Sequence, residues 1–286
     1  MRTTTAGSGR VWFITGAGRG LGRAFTQAAL GNGDRVVAAT RTVAPLDDLA
    51  AENGDRLLVL PLDVTDRAAV FAAVDRATER FGRLDVVVNN AGIMSMGMIE
   101  EFTEAEARAQ METNFFGALW VSQAVLPCLR AQGSGHIVQI SSIGALGGFA
   151  TTGLYSASKF ALEGMSEALA MEAARFGVKL TIVEPGGYWT DLYTSMTATT
   201  PIPDYAPLRA ELEKQWAEGS VDSDPRLAAE AVLKLVGSDE PPLRLLLGGM
   251  AYDLAFAVSR QRMETWARWE EVSRAAEHAV PAPPAR

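Results

Sequence analysis

The chain has 286 residues, 48% of them hydrophobic, and a formal net charge of −8. This length and apolar content suit an α/β unit with a large core, and the acidic balance argues against a general nucleic-acid or anionic-membrane binder, which needs a basic face. The lone cysteine, Cys128, excludes an internal disulfide or a paired-cysteine metal site, and His136 and His278 are too far apart in sequence to suggest a histidine metal centre.

Residues 1–10 hold no apolar core of signal-peptide length. No apolar run nears the roughly 20 residues of a membrane span, so a cytoplasmic protein is expected. The first apolar run, 11–15, predicts a strand. It leads into Thr15-Gly16-Ala17-Gly18-Arg19-Gly20-Leu21-Gly22 and a helical pattern over 20–30. Small residues between a strand and a helix let the backbone approach a pyrophosphate, and the helix N-terminus supplies amide donors and a favourable dipole. The next strand, 35–40, ends in Thr40-Arg41. An acid there would bond the ribose 2′-hydroxyl of NAD, whereas arginine accommodates the 2′-phosphate of NADP. Thr40, Arg41 and Arg19 therefore favour NADP(H), since two guanidiniums can grip a phosphate with fork geometry.

A helix at 44–52 and a strand at 57–61 precede Leu62-Asp63-Val64. A helix at 67–81, with Asp66 or Asp63 as a possible cap, leads to a strand at 84–89 that ends in Asn89-Asn90-Ala91-Gly92. Met94, Met96 and Met98 fit either a flexible apolar pocket or a packed loop. One long helix is predicted over 104–130, carrying Asn114, then a strand at 136–141 and Ser142. In the helix predicted over 155–176, Tyr155 and Lys159 stand four apart and share a face. A phenol has an ordinary pKa of about 10, which a nearby cation lowers, so the pair suits proton transfer.

The strand at 179–184 runs into Pro185-Gly186-Gly187-Tyr188-Trp189-Thr190, where paired glycines permit close backbone approach. Residues 190–223 break the rhythm with Pro201, Pro203 and Pro207, and read as an irregular or helical lobe over the site. Asp224-Pro225 opens a helix at 225–237. A strand at 243–247 and a helix at 254–276 follow. Trp266 and Trp269 on that helix could pack on the body or on a partner. The Pro/Ala-rich tail, 279–286, is expected to be disordered. Most strands are continuous apolar runs, as in a parallel sheet covered on both faces. The expected fold is a doubly wound (Rossmann) α/β sheet of about seven strands in one domain over 1–286.

From about residue 11 to 190, the order of these motifs resembles the short-chain dehydrogenase/reductase family. Thr15–Gly22 fits its TGxxxGxG turn, Asn89–Gly92 its NNAG segment, and Asn114, Ser142, Tyr155 and Lys159 its catalytic set. Ser142 is preferred to Ser141 because it has the family's separation from Tyr155. The resemblance implies that Gly16, Gly18, Arg19, Gly20, Leu21, Gly22, Thr40 and Arg41 contact the cofactor. It also implies that Asp63 meets the adenine amino group with the Val64 backbone, and that Asn90, Ala91 and Gly92 pass beside the adenosine ribose. Pro185, Gly186 and Thr190 would run along the nicotinamide. Lys159 would bond the ribose, and Asn114 would hold a water linking Lys159 to solvent.

Together these imply reversible reduction of a ketone or aldehyde to an alcohol by hydride transfer. Tyr155 is the general acid or base, and Ser142 bonds the carbonyl oxygen. Leu146, Phe149, Leu154, Trp189, Tyr193, Met196 and Trp216 are candidates for an apolar substrate pocket. A homodimer or homotetramer through 104–130 and 155–176 is implied by the resemblance. The alternative is a catalytically silent dinucleotide sensor or scaffold on the same fold, since fold alone does not settle function. Cys128 and His136 read as structural.

Overall fold

The computed structural model describes residues 9–190, 192–219 and 222–278. The expected tail at 279–286 lies outside the described residues. Seven strands form one sheet in the order β3-β2-β1-β4-β6-β7-β9, every pair parallel. They are β1 Val11–Thr15, β2 Arg35–Thr40, β3 Leu57–Pro61, β4 Val86–Asn89, β6 Gly135–Ile140, β7 Val178–Pro185 and β9 Arg244–Leu247. Two short strands, β5 Ser95–Met96 and β8 Thr197–Ala198, pair beside this sheet.

The continuous apolar runs are explained by cover on both faces. On one face Trp12, Ile14, Val36 and Val88 pack under α1 Gly20–Gly31 and α9 Pro225–Val236. On the other Phe13, Val37, Val87 and Ile137 pack under α3 Arg67–Phe81, α5 Gly117–Gln132 and α6 Gly153–Ala174. Phe13 has no exposed surface; replacing such a side chain by alanine costs about 3–5 kcal/mol. Asp66 accepts a hydrogen bond from Ala69 N and caps α3, while Asp224 accepts from Arg226 N and caps α9.

The helix predicted over 104–130 is three pieces: α4 Glu104–Met111, a π-helical turn at Glu112–Phe116, and α5. The turn places Asn114 inward, 1% exposed, where its side chain bonds neighbouring backbone. Such bulges interrupt α-helices without any glycine or proline to announce them. The last predicted helix begins earlier than expected, as α10 Gly249–Arg268, and is followed by α11 Glu270–Ala275. A short α2, Asp47–Asn53, connects β2 and β3.

The lobe after β7 contains α7 Leu192–Ser195, β8 and α8 Ala206–Gly219. Its anchor is Glu101, whose carboxylate accepts from Ile202 N at 2.9 Å and Thr199 Oγ1 at 2.7 Å and pairs with Arg209. The Glu101 side chain is fully buried, and these donors, Arg209 foremost, hold it far below the usual carboxylate range. The parallel pairing of β5 with β8 brings Ser95 opposite Thr197, so the same lobe is held at two points.

Candidate active site

The glycine turn between β1 and α1 is closely packed. Gly16 and Gly20 have φ of 64° and 51°, a region that disfavours side chains. A Cβ on Gly22 would stand 2.2 Å from the Gly16 carbonyl oxygen. The turn lies flush against the end of β4. Asn90 Nδ2 donates to Thr15 O at 2.9 Å, and Thr15 Oγ1 accepts from Asn90 N and Ala91 N. Asn89 instead faces inward and donates to Ser122 Oγ. Helix α1 starts with no side-chain cap and no acid in its first turn. Its first amides and positive dipole end are thus left for an anion. These features fit a dinucleotide pyrophosphate.

One cavity of about 990 Å³ runs from this turn past the ends of the strands. Gly16, Gly18, Arg19, Gly20 and Leu21 line it, as do Thr40, Arg41, Asp63 and Val64. Gly22 lies buried behind them. No acid ends β2. Arg19 and Arg41 are exposed, and neither forms an ion pair among the described residues, whereas Arg23 is committed to Asp48. Asp63 Oδ1 accepts from Thr65 N at 3.0 Å and Thr65 Oγ1 at 2.8 Å. Those bonds, and the Arg41 charge, keep its carboxyl ionised below the ordinary range. The helix cap is Asp66, so Asp63 is not spent on capping α3.

Farther along, Asn90, Ala91, Gly92, Ser142, Tyr155 and Lys159 line the same cavity. Ser142 Oγ accepts from Gly144 N at 3.1 Å and hydrogen-bonds the Tyr155 phenol. Lys159 is 4% exposed. Its Nζ donates to Ile140 O at 2.8 Å and stands 5.7 Å from the centre of the Tyr155 ring. Asn114 does not line the cavity but braces it. Its Oδ1 accepts from Ile93 N at 2.9 Å, and its Nδ2 donates to Ile93 O and Ser158 Oγ, each at 3.0 Å. Ser158 in turn donates to Tyr155 O, so the π-helical turn, the β4 exit and α6 are joined.

The electrostatics differ from expectation in one respect. Burial raises the Tyr155 phenol above its ordinary value, and only the Ser142 hydrogen bond opposes it. The expected lowering by Lys159 does not set the direction here; burial of the ring does. Burial also lowers Lys159 to about 8, opposed by the charge of Glu163. His136 is buried against Thr181, and Cys128 donates to Gln132; both lie away from the cavity.

Pro185, Gly186, Gly187 and Thr190 line the far wall, and the Thr190 side chain covers Gly20. Gly186 N donates to Leu247 O at 3.0 Å, fixing that loop to β9. Of the expected apolar set, Phe149 and Met196 line the cavity, while Leu146, Leu154 and Trp189 do not. Trp189 is 74% exposed. The side chains of Tyr193 and Trp216 lie outside the described residues. Met94 and Met96 line the cavity and Met98 is buried, so the methionine run divides between pocket and packing. The unforeseen wall is Met250 and Leu254 of α10. An earlier start for that helix, after the positive-φ Gly248, was the signal for it.

Residues 10–201 match the family model described as short chain dehydrogenase. The chain is similar to Oxidoreductase BOA17 of Botryotinia fuckeliana, 42% identical over 92% of this chain and 98% of the relative. It is 38% identical to a 3-ketodihydrosphingosine reductase of Bacteroides thetaiotaomicron, over 88% of this chain and 92% of that one. A short-chain dehydrogenase structure from Streptomyces avermitilis superposes with a TM-score of 0.89 at 40% identity, covering 95% of this chain and all of that one. One from Burkholderia cenocepacia, in complex with NADP, gives 0.73 at 29% identity and 91% and 97% coverage. A 3-ketoacyl-(acyl-carrier-protein) reductase from Brucella melitensis, complexed with NADH, gives 0.74 at 27% identity and 85% and 99% coverage.

Proposed function

The chain belongs to the short-chain dehydrogenase/reductase family of oxidoreductases, and on that premise we propose that it is an NADP(H)-dependent enzyme interconverting a hydrophobic ketone or aldehyde and its alcohol. The observation that carries this reading is the meeting of Ser142, Tyr155 and Lys159 in the cavity that the glycine turn opens. NADPH, when bound, supplies the hydride. Tyr155 gives its phenolic proton to the carbonyl oxygen as negative charge develops there. The Ser142 hydroxyl, which accepts from Gly144 N, donates to that oxygen. Lys159 holds the nicotinamide ribose and contributes positive charge beneath the phenol. In oxidation the same groups act in reverse.

NADP(H) preference is supported by Thr40 in place of an acid and by the uncommitted Arg19 and Arg41. The apolar wall of Met94, Ile143, Phe149, Met196, Met250 and Leu254 supports a hydrophobic substrate. One similar protein is named a 3-ketodihydrosphingosine reductase. A homodimer or homotetramer is part of the same reading, supported by the outer face of α6. There Phe160 and Met171 are exposed, and Gly164 opens onto empty space. A lone cysteine suits a reducing cytoplasm.

The test is a panel of carbonyls and alcohols followed at the NADPH absorbance band. Apolar ketones are expected to turn over, faster with NADPH than with NADH. Tight NADPH binding with no turnover across the panel would favour a dinucleotide sensor instead.

A further inference from the structure

A cluster of charged side chains lies beneath the site, and the proton-transfer scheme above makes no use of it. Glu163, one helical turn after Lys159 on α6, is 5% exposed. Its Oε1 accepts from Ser141 Oγ at 2.5 Å, and its Oε2 pairs with Arg244 of β9. Arg244 also meets Glu184 at 3.1 Å, at the end of β7, and Glu167 at 2.7 Å on α6. The groups facing Glu163 are therefore Lys159 and Glu167 from α6, the Ser141 hydroxyl after β6, Glu184 from β7 and Arg244 from β9. Each belongs to a piece that carries the site. Ser141 precedes Ser142, Glu184 precedes Pro185, and Glu163 shares a helix with Tyr155 and Lys159.

We propose that Glu163 is a positioning residue: fixed by Ser141 and Arg244, its carboxylate keeps the buried Lys159 ammonium charged and ties α6 to the strands that carry Ser142 and the 185–190 loop. The charge balance supports this. An ammonium 4% exposed, with the Ile140 carbonyl as its hydrogen-bond partner, is costly to keep ionised without a nearby anion. Three carboxylates share one guanidinium, so negative charge is in surplus there. Glu184 accordingly holds its proton up to about 7, pushed by burial and by Glu163. Glu163 has a donor on each of its two oxygens and is the carboxylate of the cluster one helical turn from Lys159.

This inference rests on the proposed role of Lys159, but its first test needs neither cofactor nor substrate. The lysines of the chain are Lys159, Lys179, Lys214 and Lys234. Labelling their side chains with ¹⁵N or ¹³C lets each be titrated by NMR in the full-length protein. Arginine substitutions at Lys179, Lys214 and Lys234 assign Lys159 by elimination. Wild-type Lys159 is expected to titrate near 8, and Glu163→Gln to move it down by about one further unit. Glu163→Asp is expected to keep most of the wild-type value. Ser141→Ala, which removes a donor but no charge, is expected to leave it nearly unmoved.

The alkaline limb of ketone reduction should follow the NMR value in Glu163→Gln, because removing a negative charge eases the first deprotonation of the Lys159–Tyr155 pair. An unmoved Lys159 in Glu163→Gln overturns the proposal, as does an equal shift in Ser141→Ala. If Glu163→Gln does not fold, Glu163→Ala against Ser141→Ala decides on the same readout: a downward Lys159 shift in Glu163→Ala alone supports the proposal, and an unmoved Lys159 or an equal shift in both overturns it. A Lys159 shift in a protein that reduces no carbonyl supports the electrostatic role while the proposed function fails.

Discussion

Arg41 is the side chain on which coenzyme choice should turn. It is exposed at the cavity, faces no acid at the end of β2, and is free of ion pairs among the described residues. Arg41→Ala is expected to weaken NADPH by about 1.5–3 kcal/mol, the worth of a hydrogen bond to a charged group, and to leave NADH nearly unchanged. Fluorescence titration with both coenzymes checks it; equal losses would contradict it. His136 makes a separate demand on stability. Burial holds its imidazole down to about 4 from 6.5. The unfolded chain takes up this proton at the higher value and the folded chain only at the lower. Stability from this residue is therefore complete above 6.5 and is lost as pH falls to about 4, by up to ~3 kcal/mol. His136→Gln should flatten that limb in denaturant unfolding measured at several pH values. Spacing made Tyr155 and Lys159 legible from the chain alone, because four residues is one helical turn. The direction of the phenol shift was not legible, since it depends on how many other elements cover the ring.

Elements announced by apolar runs were readable, and those held by side-chain bonds to backbone were not. The seven main strands come from such runs and agree with the sheet within a residue or two. The π-helical turn at Glu112–Phe116 is set by Asn114 reaching Ile93, a contact with no local signature. The lobe was legible as an interruption rich in proline, but its anchor, Glu101, is a hundred residues earlier in the chain. With its buried carboxylate bonded to Thr199, Ile202 and Arg209, Glu101 should govern how firmly the lobe sits over the cavity. Glu101→Ala is expected to speed proteolytic cutting between 197 and 209 and to raise KM more than it lowers kcat. Thermal melting of the sheet should change less. Because Arg209 and the other donors hold the carboxylate down to about 2, the stability this anchor contributes is full above pH 4.5 and is lost as pH falls from there to about 2. Unchanged cutting in the variant would leave the lobe fixed by β5 and β8 alone.

At the scale of the molecule, alternating strands and helices led to the doubly wound sheet. The C-terminal arm was less readable, because α10 both lines the cavity with Leu254 and exposes Trp266 at 66%. The outer face of α6, with Met171 72% exposed, is the expected subunit contact. Light scattering at micromolar concentration should give a dimer or tetramer, and Met171→Glu should shift it toward monomer; a monomeric wild type would contradict the assembly. The central claim is that Tyr155 moves the proton while the rest of the cavity holds the cofactor. It is tested most directly by Tyr155→Phe, which keeps the ring and removes the hydroxyl. NADPH affinity by fluorescence and steady-state turnover are measured on one substrate from the panel. The expected result is wild-type NADPH affinity with turnover reduced at least a hundredfold, roughly the lower end of what a general acid contributes. Near wild-type turnover with intact binding would contradict it.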